Sequence, residues 1–466
     1  MTPPPVPRKE AADPPRLAAY NCVVGVARDD AYANLALPAL LRGARSTGRD
    51  AAFATELAYG TLRGQGTYDV VLAACVDRPL ADVDVEVRTA LQLGAHQLLA
   101  MRVPAHAAVG ATVGLARYVL GLGRAGFVNA VLRRVGERDL EAWLAELAPP
   151  LTADPSGHLA MHHSHPRWIV EELARSLGVP LEPGTTEAAL EQLVDLLRSH
   201  NVPPLVSLVA RPGRATPAEL LAAVPGAEPG RWSPYAVTLS GGGSPADIPA
   251  VTQGRAGVQD EGSQLVAIAA ATLALEGRDA RWLDLCAGPG GKAALLASLA
   301  VPRGVRLTAN EIAPHRAELV RRVVGADADI TVEDGRAGPW EPGTFDRVLV
   351  DAPCTGLGAL RRRPEARWRR RPEDLPGLVE LQQELLHAAI ELVRPGGLVV
   401  YATCSPAIAE TRGIVESVVA RRGGLDPVDV RPALPGVVSL GDGPDVQLWT
   451  HLHGTDSMYV AALRRR

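Results

Sequence analysis

After Gln259 the chain alternates short β-favouring apolar runs with segments of helical spacing, and no other feature of the sequence restricts its fold as strongly. The runs are RWLDLCA, VRLTANE, DITVED, DRVLVDA and GLVVYATCS. Strands separated by helices cannot pair as hairpins, so they predict a parallel sheet built from βαβ units. Ligands of such sheets collect at the carboxyl ends of the strands. The residues with chemical character fall there: Asp284, Glu311, Asp351 with Cys354, and Cys404.

The first of these runs ends in DLCAGPGGKAALLA, where Gly288, Gly290 and Gly291 open a helix. Glycines let backbone approach a ligand closely and leave the helix N–H groups free to face it. About twenty residues on, Glu311 ends the second strand, where an acidic side chain can accept bonds from ribose hydroxyls. A nucleoside cofactor is expected. Gly288, Gly290 and Ala293 fit G-x-G-x-x-A, which a nicotinamide enzyme shares with an S-adenosylmethionine enzyme. Of the 48 lysines and arginines only Lys9 and Lys292 are lysine, so Lys292 marks a place where a compact ammonium is needed and a planar guanidinium does not serve.

Cys354 in VLVDAPCTG and Cys404 in VVYATCSP separate the two cofactor readings. A single buried cysteine is often a small hydrophobe, but two at neighbouring strand ends suit another chemistry. Methylation at carbon 5 of a pyrimidine needs a thiolate, because that carbon becomes nucleophilic only after a cysteine has added to carbon 6. The addition pushes electron density toward ring nitrogen N3 and the exocyclic oxygen, where Asp351 and Lys292 are placed to answer it. On chemistry alone either thiol can be the nucleophile.

Upstream, residues 1–15 are Pro-rich and expected to be a disordered tail, and residues 16–147 carry helical periodicity broken by short turns, which predicts an all-helical domain. Residues 148–180 are expected to form a linker carrying one helix, residues 181–255 a small α+β module, and residues 256–466 the α/β domain. The five cysteines form no C-x-x-C pair and are odd in number, which speaks against a disulfide framework or a zinc ribbon. No signal peptide and no span of bilayer length is visible, so a cytoplasmic protein without membrane contact is expected. A net charge of −4 supplies no long-range attraction to nucleic acid, so an RNA partner has to be held locally.

DLCAGPGGK, Glu311, EDGR with Asp334, DAPCTGLGALRRRPEARW and YATCSP resemble, in order, the motifs of RNA 5-methylcytosine methyltransferases. GVQDEGSQLVA is similar to the segment that leads into that catalytic domain. RDAAFATELAYGTLR, LQLGAHQLLAMRVPAHAAV and GFVNAVLRR resemble the NusB-type RNA-binding helical domain, which the RsmB/Sun-type 16S rRNA branch of the family joins to the methyltransferase. The resemblance implies a Rossmann-like catalytic domain, S-adenosylmethionine as cofactor, and 16S rRNA as substrate, with no metal; a monomer is expected. It implies Cys404 as the nucleophile and Cys354 as the residue that assists release of the adduct. It also implies a cofactor pocket made by Cys286, Ala287, Gly288, Pro289, Gly290, Gly291, Lys292, Glu311, Asp334 and Asp351, with Asp351 and Lys292 also near the base.

The segment RRRPEARWRRR, Arg361 to Arg371, holds seven arginines and one glutamate. Such runs are usually solvated faces, but beside a catalytic cleft Arg361, Arg362, Arg363, Arg367 and Trp368 are expected to contact RNA phosphate and stack on a base. His162, His163 and His165 are given no metal, since no partner lies at a ligand spacing. LVSLVARPG and TDSMYVAAL depart from the LRVN and DGFF forms common in the family, which bears on the RNA contacts and the target nucleotide. Competing readings are a nicotinamide oxidoreductase, which leaves both cysteines unexplained, a tRNA cytosine methyltransferase, and a non-catalytic NusB-like RNA-binding factor.

Overall fold

The computed structural model describes residues 13–101, 103–240 and 244–466. Most of the expected tail and the three glycines of SGGGSP lie outside the described residues, but Pro14 and Pro15 already belong to the first helix. Proline suits that place because the first N–H groups of a helix have no internal acceptor. The chain forms two compact units, one running to Val202 and including Leu360–Arg369, the other made of Pro203–Ala359 and Arg370–Arg466.

The first unit is helical: α1 (Pro14–Arg28), α2 (Ala33–Gly43), α3 (Gly48–Cys75), α4 (Val85–Leu99), α5 (Ala105–Leu120), α6 (Leu122–Val135), α7 (Leu140–Leu147), α8 (Pro155–His163), α9 (Arg167–Leu177) and α10 (Glu187–Asn201). Spacings of three and four put Ala19, Cys22, Val23 and Val26 of α1 on one face, which buries against Leu57, Leu62 and Val71 of α3, Leu91 of α4 and Leu132 of α6. The expected linker at 148–180 is instead packed structure, and the expected α+β boundary at 181 moves to 203. Thr67 donates to the Met161 carbonyl at 2.6 Å and Gly66 N–H to Ser164 Oγ at 3.0 Å, so α8 is tied to α3. Asn201 donates to the His163 carbonyl at 2.8 Å, which fastens α10 to the end of α8.

The second unit opens with an antiparallel sheet in the order β2-β3-β1-β4, made of β1 (Val206–Ala210), β2 (Ala227–Pro229), β3 (Ala236–Leu239) and β4 (Ala256–Val258). A boundary at 255/256 would cut this sheet, because Leu208, Val209 and Ala210 pair with Val258, Gly257 and Ala256. The module packs without a break against the rest of its unit. Buried Arg211 donates to the carbonyls of Gly254 and Val323, both at 2.8 Å, and the Glu261 carboxylate accepts from the N–H groups of Arg231, Trp232 and Ser233.

The larger sheet contains β5 (Arg281–Asp284), β6 (Arg306–Asn310), β7 (Ala328–Thr331), β8 (Phe345–Asp351), β9 (Val393–Thr403), β10 (Leu425–Val428), β11 (Val446–Gln447) and β12 (Tyr459–Arg465). Its order is β10-β12-β9-β8-β5-β6-β7, with β11 also on β12. The five strands read from the sequence are parallel, while β12 extends the sheet antiparallel to β9 and β10 pairs antiparallel with β12 in turn. Side chains alternate between two cores. Trp282, Leu349, Val400 and Val460 meet the helices 261–272, 291–300 and 314–324, while Leu283, Val348, Val350, Val399 and Tyr401 meet the helices 374–392 and 412–422. Burial on both faces is why these strands read as continuous apolar runs. Chain order reverses between β5 and β8, so the crevice for a ligand lies at their carboxyl ends.

Candidate active site

Strands β8 and β9 are parallel neighbours with Asp351 opposite Ala402, so the loops that leave them start side by side. Cys354 follows the first by three residues and Cys404 follows the second directly, and their Sγ atoms lie 3.4 Å apart. Lys292, the second residue of the helix 291–300, donates from Nζ to Asp351 Oδ2 at 2.8 Å. The structure therefore brings together all four residues expected to be catalytic.

Their electrostatics differ. The hydrogen bond to Cys404, burial, and the negative charges of Cys404 and Glu410 push the Cys354 thiol well above its ordinary range. Burial pulls Lys292 down, but the charges of Asp351, Cys404 and Asp284 together outweigh it and raise it. One sulfur is thus held as a thiol, and the other shares its field with an ammonium group. Burial followed by the charges of Asp284, Asp351 and Glu311 raises Cys286 well above its ordinary value, so that thiol is chemically quiet.

The loop Cys286–Lys292 joins β5 to its helix. Gly290 has φ +112°, and a Cβ there would lie 3.1 Å from the Cα of Val320, a backbone atom that cannot step aside. A Cβ on Gly288 would stand 2.1 Å from Glu311 Oε2. Glu311 is buried, accepts from Gly288 N–H at 3.1 Å and Ala313 N–H at 3.0 Å, and has Arg316 3.5 Å from Oε2; Arg316 also donates to the Gly288 carbonyl at 2.6 Å. Asn310 staples three strand ends, donating to the carbonyls of Leu285 and Glu333 and accepting from Glu333 N–H.

Asp284 is fully buried, and neither of its carboxylate oxygens has a well-formed hydrogen bond. Burial and then the Asp351 charge push its carboxyl up to about 8, against the pull of Lys292 and the Cys286 N–H. An orphaned carboxyl, a backbone cradle that a Cβ would fill, and the buried Glu311 together fit a nucleoside that carries a cationic group. Asp334 lies differently from the rest: Arg336 grips it through both carboxylate oxygens and reaches on to Glu384, beside an open cavity of about 600 Å³ that His387 and Arg422 also line. The side-chain bond to Arg336 lowers Asp334 to about 2.

The arginine-rich segment is not the solvent-facing patch expected from its charge. Residues 360–369 belong to the helical unit. Arg367 is fully buried and donates to the carbonyls of Arg63, Ser164 and His200 and to Asn201 Oδ1, so it has no guanidinium face to offer a phosphate. Burial lowers it to about 9. Trp368 is partly buried and packs on α3, where a Cβ on Gly66 would lie 2.2 Å from its ring, and its indole N–H is buried. Arg369 donates to the carbonyls of Val26 and Ala31. Arg361 is buried and Arg362 partly so, whereas Arg363 is exposed beside Tyr32. RNA contact by the fully buried Arg367 is therefore withdrawn, and Arg361 is unsuited to it. Within the histidine cluster, His165 bonds His200 and the His163 carbonyl, and among the described residues no group of three or more ligands could hold a metal.

Sequence reasoning missed Asn310, Arg316, Gln382, Arg370 and Glu410. Each acts on backbone or side chains far away in sequence, and none sits in a pattern that marks it; only Asn310 and Arg316, close to Glu311, had a local signal.

A family model described as 16S rRNA methyltransferase RsmB/F matches residues 270–464, and one described as the NusB family matches residues 13–137. The chain is 52% identical over 461 residues to a putative methyltransferase of Mycobacterium tuberculosis, covering 98% of each. It is 32% identical over 459 residues to the ribosomal RNA small subunit methyltransferase B of Pseudomonas putida, covering 96% of this chain and 98% of that one. Among solved structures, PH0851 matches with a TM-score of 0.79 at 21% identity over 98% of this chain and all of its own. NSun6 from Pyrococcus horikoshii matches with a TM-score of 0.52 at 15% identity, covering 64% of this chain and 98% of its own. At those identities the two structures speak for the fold alone.

Proposed function

The chain belongs to the RsmB/F family of 16S rRNA methyltransferases, and from that premise we propose that it methylates carbon 5 of a cytosine in 16S rRNA with Cys404 as the attacking thiol. The observation that carries the assignment is the pair of thiols 3.4 Å apart at adjacent strand ends, with one held protonated beside the Lys292–Asp351 ion pair. The Gly288–Gly291 turn, Glu311, Asp284 and Asp351 would hold S-adenosylmethionine, with Cys286, Ala287 and Pro289 in the wall and Asp334 at its margin. Bound there, the cofactor supplies an electrophilic methyl group.

Cys404 Sγ adds to carbon 6, and the displaced electron pair runs toward N3, where the Lys292 ammonium, oriented by Asp351, stabilises it. Carbon 5 is then the nucleophile. After methylation it carries both the methyl group and its original proton. Cys354 is kept protonated first by its hydrogen bond to Cys404, then by burial, and then by the charge on that sulfur. The hydrogen bond and the charge vanish once Cys404 is bonded to carbon 6. Cys354 then yields its proton to solvent and takes the proton from carbon 5; the C–H pair becomes the C5–C6 double bond, and the C6–S pair returns to Cys404. One proton is released per turnover, as a methyl transfer from a sulfonium requires.

Carbon 6 is attacked from the ring face, which stacking covers, so the cytosine has to leave its helix. The helical unit grips the RNA, Arg363 and Arg362 add phosphate contacts, and the enzyme acts as a cytoplasmic monomer. The test is methyl transfer from labelled cofactor to unmodified 16S rRNA by wild type, Cys404→Ala and Cys354→Ala, with denaturing gels for covalent adducts. Both variants should be inactive, and an adduct should accumulate only in Cys354→Ala. A Cys404→Ala enzyme that keeps full activity would refute the assignment.

A further inference from the structure

Below the two thiols lies a carboxylate to which the methylation mechanism gives no role. Glu410, in the short helical turn Ile408–Glu410 that comes after β9, is fully buried. Its Oε1 accepts from Thr355 N–H at 2.7 Å and from Gln382 Nε2 at 3.0 Å, and its Oε2 accepts from Ser405 Oγ at 2.6 Å and from the Thr355 hydroxyl. Thr355 is the residue after Cys354, and Ser405 is the residue after Cys404. Gln382 also donates to the carbonyl of Pro353, the residue before Cys354, at 2.8 Å. From the other side, Arg370 donates to the carbonyls of Thr355 at 3.1 Å and Cys354 at 3.4 Å. Gly358 N–H closes the weave on the Cys404 carbonyl at 2.9 Å.

A buried carboxylate is costly unless its oxygens are satisfied, and a partly satisfied network is worse than an apolar one. Here four donors converge on one group, and every one belongs to a cysteine loop or to the glutamine that braces it. A purely structural role would be filled as well by apolar packing, which would leave the loops free to slide relative to one another. What the carboxylate adds is a common fixed point for two loops about 50 residues apart, together with a negative charge that acts on Cys354.

We propose that Glu410 is a positioning residue that ties the Cys354 and Cys404 loops to one carboxylate and so fixes the spacing of the thiols. This rests on the roles assigned to the two thiols in the methylation reaction. Its charge adds to those that hold the Cys354 proton, and unlike the Cys404 charge it persists after the adduct has formed. Glu410 thus makes Cys354 a stronger base for the release step.

The test uses the full-length chain with Glu410→Ala and Glu410→Gln. Without RNA, a bifunctional bimane that fluoresces only when both arms are joined to thiols reports spacing, with Cys354→Ala as background. Alkylation of Cys354, followed by mass spectrometry across pH, reports the proton. With RNA, the adduct fraction on denaturing gels and the division between kcat and KM report release. Glu410→Ala should cut bimane bridging about ten-fold and kcat about 100-fold, as displacement by about an ångström does, and should raise the adduct fraction without moving KM for the cofactor. Glu410→Gln keeps the acceptor for Thr355 and the shape but loses the charge; bridging should hold, while Cys354 alkylation should shift to lower pH and the adduct fraction should rise. If Glu410→Ala fails to fold, the Gln variant decides. Unchanged alkylation and adduct fraction in Glu410→Gln, or unchanged bridging in a folded Glu410→Ala, overturns the proposal. A wild type that methylates no RNA but passes the bridging and alkylation arms would instead overturn the functional reading and leave the clamp standing.

Discussion

Residues 286–292 and residues 361–371 are both short, extreme in composition and close in sequence to strand ends, yet they spend their polar groups in opposite ways. At its three glycines the loop works through backbone, which passes so near Glu311 and Val320 that a Cβ at Gly288 or Gly290 has no room. The arginine segment works through side chains, and it turns them inward, onto the carbonyls of Arg63, Ser164, His200, Val26 and Ala31. A guanidinium carries five donors that a carbonyl satisfies as readily as a phosphate does, so a run of arginine does not say which acceptor it meets. A glycine in the left-handed region with a neighbour's backbone 3.1 Å away admits only one reading.

The sharpest way to break this contrast is Gly288→Ala. The added methyl displaces the Glu311 carboxylate, so affinity for S-adenosylmethionine should fall about 100-fold, close to 2.8 kcal/mol, with the fold retained. Titration calorimetry checks it, and an unaltered affinity would remove this loop from the cofactor site. Arg367→Met is the corresponding change in the other region. It removes the donor from three buried carbonyls and from Asn201 Oδ1, and urea unfolding should show a loss of about 2–4 kcal/mol, while the salt dependence of RNA binding stays as in wild type. A stable variant with a shallower salt dependence would restore Arg367 to the RNA surface.

Asp284 gives a smaller effect, read through pH. Its carboxyl is raised to about 8 in the folded chain, against an ordinary 3.8 when unfolded, so between those values the native state holds a proton that the unfolded chain has lost. The stability it contributes is fully present below pH 4 and is lost as the pH rises through about 8. Asp284→Asn removes this slope, so the variant should gain on wild type between about pH 5 and pH 9 in urea midpoints; parallel curves would mean the carboxyl is ionised throughout. Arg363→Ala should do least. This exposed side chain should leave stability untouched and lower the salt slope of RNA binding by about one phosphate contact.

The same contrast explains what could be read from the sequence. The parallel strands, the glycine loop and the two cysteines were legible because each is a local pattern whose physical requirement is stated by a few neighbouring residues. The inclusion of residues 155–201 in the helical unit was not legible, since it rests on partners such as Thr67 with Met161, 94 positions apart. Nor was Glu410, which lies six residues past Cys404 and gains its meaning only where β8 and β9 run side by side. The arginine segment misled for a related reason: its partners are backbone carbonyls, which every residue has and no sequence advertises.

The place of β12 in the sheet has a consequence in time. β12 lies between β9 and β10, so the edge of β9 that bears Tyr401, Ala402 and Thr403 is closed by residues 459–461. At synthesis rates of roughly 5–20 residues per second, that edge stays open for about 3–11 s after Thr403 has been made. An unpaired strand edge is a template for wrong partners, and this one adjoins Cys404. The nucleophile is therefore joined to the chain well before the strand that will flank it, and during that interval a nascent-chain chaperone has the most to protect.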